Sequence, residues 1–64
     1  MRVLRMRFRD GAVYVPEDDR ELVERVRSRG ELLGSRRMEM TEAEFKKIPS
    51  TGFSRKVTRE DLCE

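Results

Sequence analysis

The sequence predicts an α+β fold: an N-terminal β-hairpin, one helix packed on it, a third strand, a short second helix and a loosely anchored C-terminal tail. Three observations carry this expectation. Apolar residues alternate with arginines over residues 4–9 and with other residues over 12–15, which is the two-residue period of a strand. An Asp10-Gly11 pair separates the two runs. Asp18-x-x-Glu21 and Thr41-x-x-Glu44 each precede apolar residues at helical spacing, a pattern that caps the orphan amides of a helix start.

In the hairpin, Leu4, Met6 and Phe8 fall on one face and Val3, Arg5, Arg7 and Arg9 on the other. Asp-Gly suits a two-residue type I′ turn, because both central residues need a positive φ. Closing the turn there pairs Arg9 with Ala12, Phe8 with Val13, Arg7 with Tyr14 and Met6 with Val15. This register gathers the apolar residues on one side, and a one-residue slip would scatter them. Pro16 ends the second strand, since it has no N–H to give to a ladder.

A helix of about 12 residues is then expected, capped by Asp18, with Leu22, Val23 and Val26 as its buried stripe. Its acidic start and its basic end at Arg25, Arg27 and Arg29 complement the helix dipole. Gly30 suits the left-handed position after a helix C-terminus. Leu32-Leu33 could begin a strand or pack a loop; a third strand is expected over 36–40, where Met38 and Met40 alternate with Arg37 and Glu39. Thr41 opens a second helix over 42–47, which buries Phe45 and Ile48 and stops before Pro49. Residues 1–49 are thus read as one small domain and 50–64 as an arm, in which Thr58-x-x-Asp61 could cap a last turn holding Leu62.

A chain of 64 residues buries only about 60% of the surface its unfolded form exposes. With 36% hydrophobic and 44% charged residues, the core rests on few side chains: Leu4, Met6, Phe8, Val13, Val15, Leu22, Val23, Val26, Leu32, Leu33, Met38, Met40, Phe45 and Ile48. The net charge is only +2, so distribution matters more than the sum. Residues 1–16 carry four arginines against one acid, and the positive charge concentrates on the hairpin.

Catalytic readings find little to work with. The chain has no histidine, and its single Cys63 lies beside the C-terminus, where frayed backbone would not hold a nucleophile. Cys63 has no partner for an internal disulfide and no histidine for a zinc site; it reads as an incidental thiol in a reducing, cytoplasmic setting. The acids Glu17, Asp18 and Asp19 are explained by the helix dipole, and no metal or cofactor is expected. No apolar run approaches the length of a membrane span, and no export signal is visible.

The residues that remain are Arg5, Arg7, Arg9 and Tyr14, expected on one face of the hairpin, and a second basic group, Arg36-Arg37. Guanidinium groups around an aromatic ring suit phosphate contacts combined with base stacking. Equally, they could form a solvated sheet face or meet an acidic protein surface. A third basic group, Arg55, Lys56 and Arg59, would enlarge the positive surface if it approached the hairpin, and otherwise belongs to the arm.

The run Phe8-Arg9-Asp10-Gly11-Ala12-Val13-Tyr14, followed by Ser28-Arg29-Gly30, resembles the KTSC domain, a short module seen at the C-terminus of some lysyl-tRNA synthetases and as a stand-alone protein. Phe8 to Tyr14 fits its F-x-N-G-x-V-Y core, and Ser28 and Gly30 fit its S-x-G, over about residues 4–33. The resemblance implies a hairpin-helix module with an RNA-binding role. Gly11, Val13, Val15 and Pro16 also resemble the G-x-h-x-h-P pattern, with h apolar, of AbrB-type swapped-hairpin DNA-binding proteins. The expected function is a non-catalytic module contacting RNA or DNA through Arg5, Arg7, Arg9, Tyr14, Arg36 and Arg37. The alternative is a protein-binding regulator or inhibitor, of phage or mobile-element type or an antitoxin-like homodimer, using the basic face and the arm.

Overall fold

The computed structural model describes residues 1–62, with side chains as far as Glu60. Cys63 therefore lies outside the described residues, as does the packing of Leu62. The fold is α+β. Strands β1 (Arg2–Phe8), β2 (Gly11–Pro16), β3 (Gly34–Glu39) and β4 (Ser54–Lys56) form one sheet in the order β3-β1-β2-β4. Helix α1 (Arg20–Arg27) follows β2, α2 (Glu42–Lys47) lies between β3 and β4, and a last turn, α3, spans Arg59–Leu62. β1 pairs antiparallel with β2 and β3, while β4 joins β2 in parallel.

The hairpin forms with its faces as expected, in a register moved by two residues. Phe8 pairs with Gly11, Met6 with Val13, Arg5 with Tyr14 and Leu4 with Val15. The loop is Arg9-Asp10, and no non-glycine residue among those described takes a positive φ, so the expected type I′ turn at Asp10-Gly11 is absent. Gly11 has been drawn into the strand for another reason. Its φ is +145°, and a side chain there would overlap the backbone carbonyl of Phe53, which accepts a 2.7 Å hydrogen bond from Ala12 N–H. The missing Cβ permits a close backbone approach rather than a turn. Because side chains alternate with period two, a shift of two leaves every residue that stays paired on its expected face, while Arg9 drops out of the ladder into the loop.

On the first face, Met6, Val13 and Val15 pack with Leu22, Val23 and Val26 of α1 and with Val57, and Leu4, Phe8 and Leu32 flank them. Full burial of each such side chain stabilises by roughly 1.5–3 kcal/mol. α1 is shorter than expected and begins one residue later. Asp19 N–H donates to Pro16 O across the post-strand turn, and Asp19, not Asp18, is the cap, accepting from Leu22 N–H at 3.3 Å. The helix closes at Ser28, whose N–H donates to Glu24 O and whose hydroxyl donates to Arg25 O. Gly30 has no positive φ and is not the expected left-handed cap.

α2 has the expected limits, and its capping box is complete: Thr41 Oγ1 accepts from Glu44 N–H at 3.1 Å, and Glu44 Oε1 accepts from Thr41 N–H at 3.3 Å. β3 begins two residues earlier than expected. Leu33, expected in the core, is exposed, whereas Val3, Ala12 and Val57 are buried. Val3 and Ala12 point to the second face, which α2 partly covers with the buried ring of Phe45.

The segment expected to be a loose arm carries β4 and Val57, which is 5% exposed within the main core. Val57 N–H donates to Tyr14 O, and Lys56 N–H donates to Pro49 O. A short parallel strand lacks the local turn signature of a hairpin, which is why nothing in the sequence announced it.

Candidate nucleic-acid interface

The register determines which of the singled-out residues meet. Arg5 stands at the centre of β1 with Tyr14 directly opposite on β2 and Arg36 directly opposite on β3. Tyr14 is in turn opposite Lys56 on β4. Directly opposed residues share a face, so each strand contributes one side chain to a row across the sheet: Arg36, Arg5, Tyr14, Lys56. Arg7, opposite Ala12 and Gly34, lies one pleat further along the same face. A shallow groove of about 300 Å³ opens among Arg5, Arg7, Arg36, Gly34 and Ser35.

Two of the expected residues lie elsewhere. Arg9 sits in the hairpin loop and lines a depression on the α1 side with Phe8 and Arg29. Arg37 is opposite Leu4, which turns it to the first face, and its Nε lies 2.9 Å from Glu17 Oε2. The contact is off the N–H axis, so it is a charge pair without a directed hydrogen bond. Alternation already implied this parting, because neighbours in a strand point to opposite faces. Of the tail bases, Lys56 joins the row, Arg55 is opposite Val13 on the first face, and Arg59 grips Asp19. Lys56 is the residue that sequence reasoning left with the arm.

The row is electrostatically unbalanced. Elsewhere five arginines are matched with acids, Arg2 with Glu39, Arg25 with Glu21, Arg27 with Glu24, Arg37 with Glu17 and Arg59 with Asp19, while Arg9, Arg20, Arg29 and Arg55 form no ion pair among the described residues. Among the described residues, Arg5, Arg7 and Arg36 have no such partner. Arg5 and Arg36 are like charges directly opposed across two strands, an arrangement that costs stability. Arg5 is half-buried, and its Nε is shielded from water with no hydrogen-bond acceptor. An N–H in that position carries a penalty of order 1–3 kcal/mol. Its guanidinium carbon lies 6.0 Å from the Tyr14 ring centroid, at the outer limit of a cation–π contact, which offsets part of that penalty.

Lys56 is held in place. Its Nζ donates to Lys46 O at 2.9 Å and stands 5.8 Å from the centroid of the Phe45 ring, leaving two of its three N–H donors for a ligand. The row offers several cationic donors and one aromatic ring, with no histidine and no acid among its members. It can bind anions and stack against a planar group. Among the described residues there is no cluster of three or more side chains suited to hold a metal ion, and no helix long and apolar enough to cross a membrane.

No family model, curated protein or solved structure matches the chain significantly.

Proposed function

We propose that the protein is a non-catalytic nucleic-acid-binding module that uses Arg5, Arg7 and Arg36 to hold phosphates and Tyr14 to stack on a base. The observation carrying this reading is the opposed pair Arg5 and Arg36, unpaired with any acid and adjacent to Tyr14. A bound phosphate would neutralise the pair's repulsion through charge-assisted hydrogen bonds. The resemblance of residues 4–33 to the KTSC module points to RNA first, and a cytoplasmic setting fits.

The test is a fluorescence-anisotropy titration of labelled RNA and DNA oligonucleotides at several salt concentrations. Three phosphate contacts give a slope of about −2 in log affinity against log salt, a weakening of about twenty-fold between roughly 50 and 200 mM. Replacing Arg5, Arg7 and Arg36 together by glutamine should remove most of the salt-dependent component. Absence of saturable binding to either nucleic acid at low salt would overturn the reading and leave an acidic protein surface as the remaining partner class.

A further inference from the structure

We infer that the ligand is single-stranded and lies across the four strands, with one unpaired base at Tyr14 bracketed by a phosphate at Arg5 and Arg36 and another at Lys56. The inference rests on the nucleic-acid reading and specifies the form its ligand takes. It comes from the order of side chains in the row. Tyr14 is not at the rim of a basic patch; it stands between cations, with Arg5 opposite on one side and Lys56 opposite on the other.

Neighbouring strands are about 4.8 Å apart, so the row spans about 14 Å, the reach of two or three nucleotides. In a duplex the base faces are stacked on each other, and only backbone and groove edges are presented to a flat surface. A sheet face with an aromatic ring at its centre is matched by a strand whose bases can be splayed out.

The two ends of the row differ, which limits the footprint. Arg36 is exposed on the edge strand β3, so the chain can enter there without obstruction. At the other end, the Lys56 ammonium is fixed by the carbonyl of Lys46 and the ring of Phe45 on α2. Lys56 thus acts as a placed charge at the end of the track, where a floppy surface lysine would give only diffuse attraction.

The protein carries its own probe. Tyr14 is the only tyrosine, and there is no tryptophan, so intrinsic emission reports this ring alone. The full chain is titrated with single-stranded oligonucleotides of increasing length, with the same sequences annealed to complements, and with inorganic polyphosphate. Expected are saturable quenching of Tyr14 by single strands, affinity that stops rising steeply beyond about three nucleotides, duplex binding at least ten-fold weaker, and polyphosphate binding without quenching. By anisotropy, Tyr14→Phe should keep its affinity, Tyr14→Ala should lose about ten-fold or more, and Lys56→Gln should lose several-fold for single strands. Tyr14→Phe and Lys56→Gln are mild enough to test the row should Tyr14→Ala fail to fold. Equal affinity for single strand and duplex, or unchanged Tyr14 emission at saturation, overturns the inference while nucleic-acid binding stands. Failure of every oligonucleotide to bind overturns both.

Discussion

Gly11→Ala is a sharp test of how the sheet is held together. Gly11 has a φ of +145°, and a methyl there would overlap the Phe53 carbonyl oxygen and stand 3.0 Å from its carbon. A non-glycine residue held in that region costs on the order of 1–3 kcal/mol. To avoid the overlap, the Phe53 carbonyl must also withdraw from Ala12 N–H, which belongs to a fully buried residue. Leaving that donor without an acceptor adds about 1–3 kcal/mol. The sum, roughly 2–6 kcal/mol, is a large share of the about 3–10 kcal/mol expected of a domain this size. The midpoint of thermal unfolding should fall by about 8 °C or more. Urea unfolding followed by far-UV circular dichroism, and thermal melts, measure this directly. Gly52→Ala is the control: its φ is +102°, but no atom lies within 4 Å of where the side chain would go, so only the backbone strain of about 1–3 kcal/mol applies. If Gly11→Ala lies within about 1 kcal/mol of the parent, or costs no more than Gly52→Ala, the close approach of Phe53 is not what demands glycine.

Three further outcomes follow from the geometry. Val57→Ala should destabilise by about 2 kcal/mol in urea unfolding, from the lost methyls and the cavity left in the core; a loose arm would show no effect. Arg36→Gln should raise the melting temperature slightly, by relieving its opposition to Arg5, while weakening oligonucleotide binding; a fall in both would mean that Arg36 is structural. The Asp19 carboxyl is held below its usual 3.8, chiefly by its hydrogen bond with Arg59 and further by the Leu22 amide and the Arg59 charge, against an opposing desolvation effect. Its stabilising contribution is therefore present above pH 3.8 and lost as the pH falls through the lower folded value. Asp19→Asn keeps a helix cap but loses the ion pair, so it should be less stable than the parent at neutral pH. That difference should shrink below pH 3.8 in melts run as a pH series; a constant difference would show that the carboxylate charge is not responsible.

Local chemistry made part of this fold legible and left part of it hidden. α2 was readable in its limits and its buried ring, because Thr41, Glu44, Phe45 and Pro49 specify start, anchor and end within a few residues, although Ile48, expected buried with Phe45, is only half-buried. The faces of the hairpin were readable from alternation, but its register was not. Asp-Gly chemistry favoured one turn, whereas the approach of Phe53, more than forty positions away in sequence, required Gly11 in the strand. Similarly, the cap moved from Asp18 to Asp19, where the carboxylate also meets Arg59. Both differences come from the C-terminal segment, whose contacts leave no periodic trace. In the candidate site, the association of Arg5 with Tyr14 followed from strand parity, and so did the separation of Arg37 from Arg36. Lys56 could be placed only by the parallel pairing of β4 with β2.

That parallel pairing also sets an order of events during synthesis. β1 and β2 can zip together locally, and β3 can add to their edge, but β4 docks only after α1, β3 and α2 have been made, because loop closure over that distance must precede its reward. Until then Tyr14 has a cation on one side only, and Val57 is missing from the core. A ribosome-bound or prematurely ended chain thus carries the arginines without the complete row. The docking of β4 completes the row and the core together.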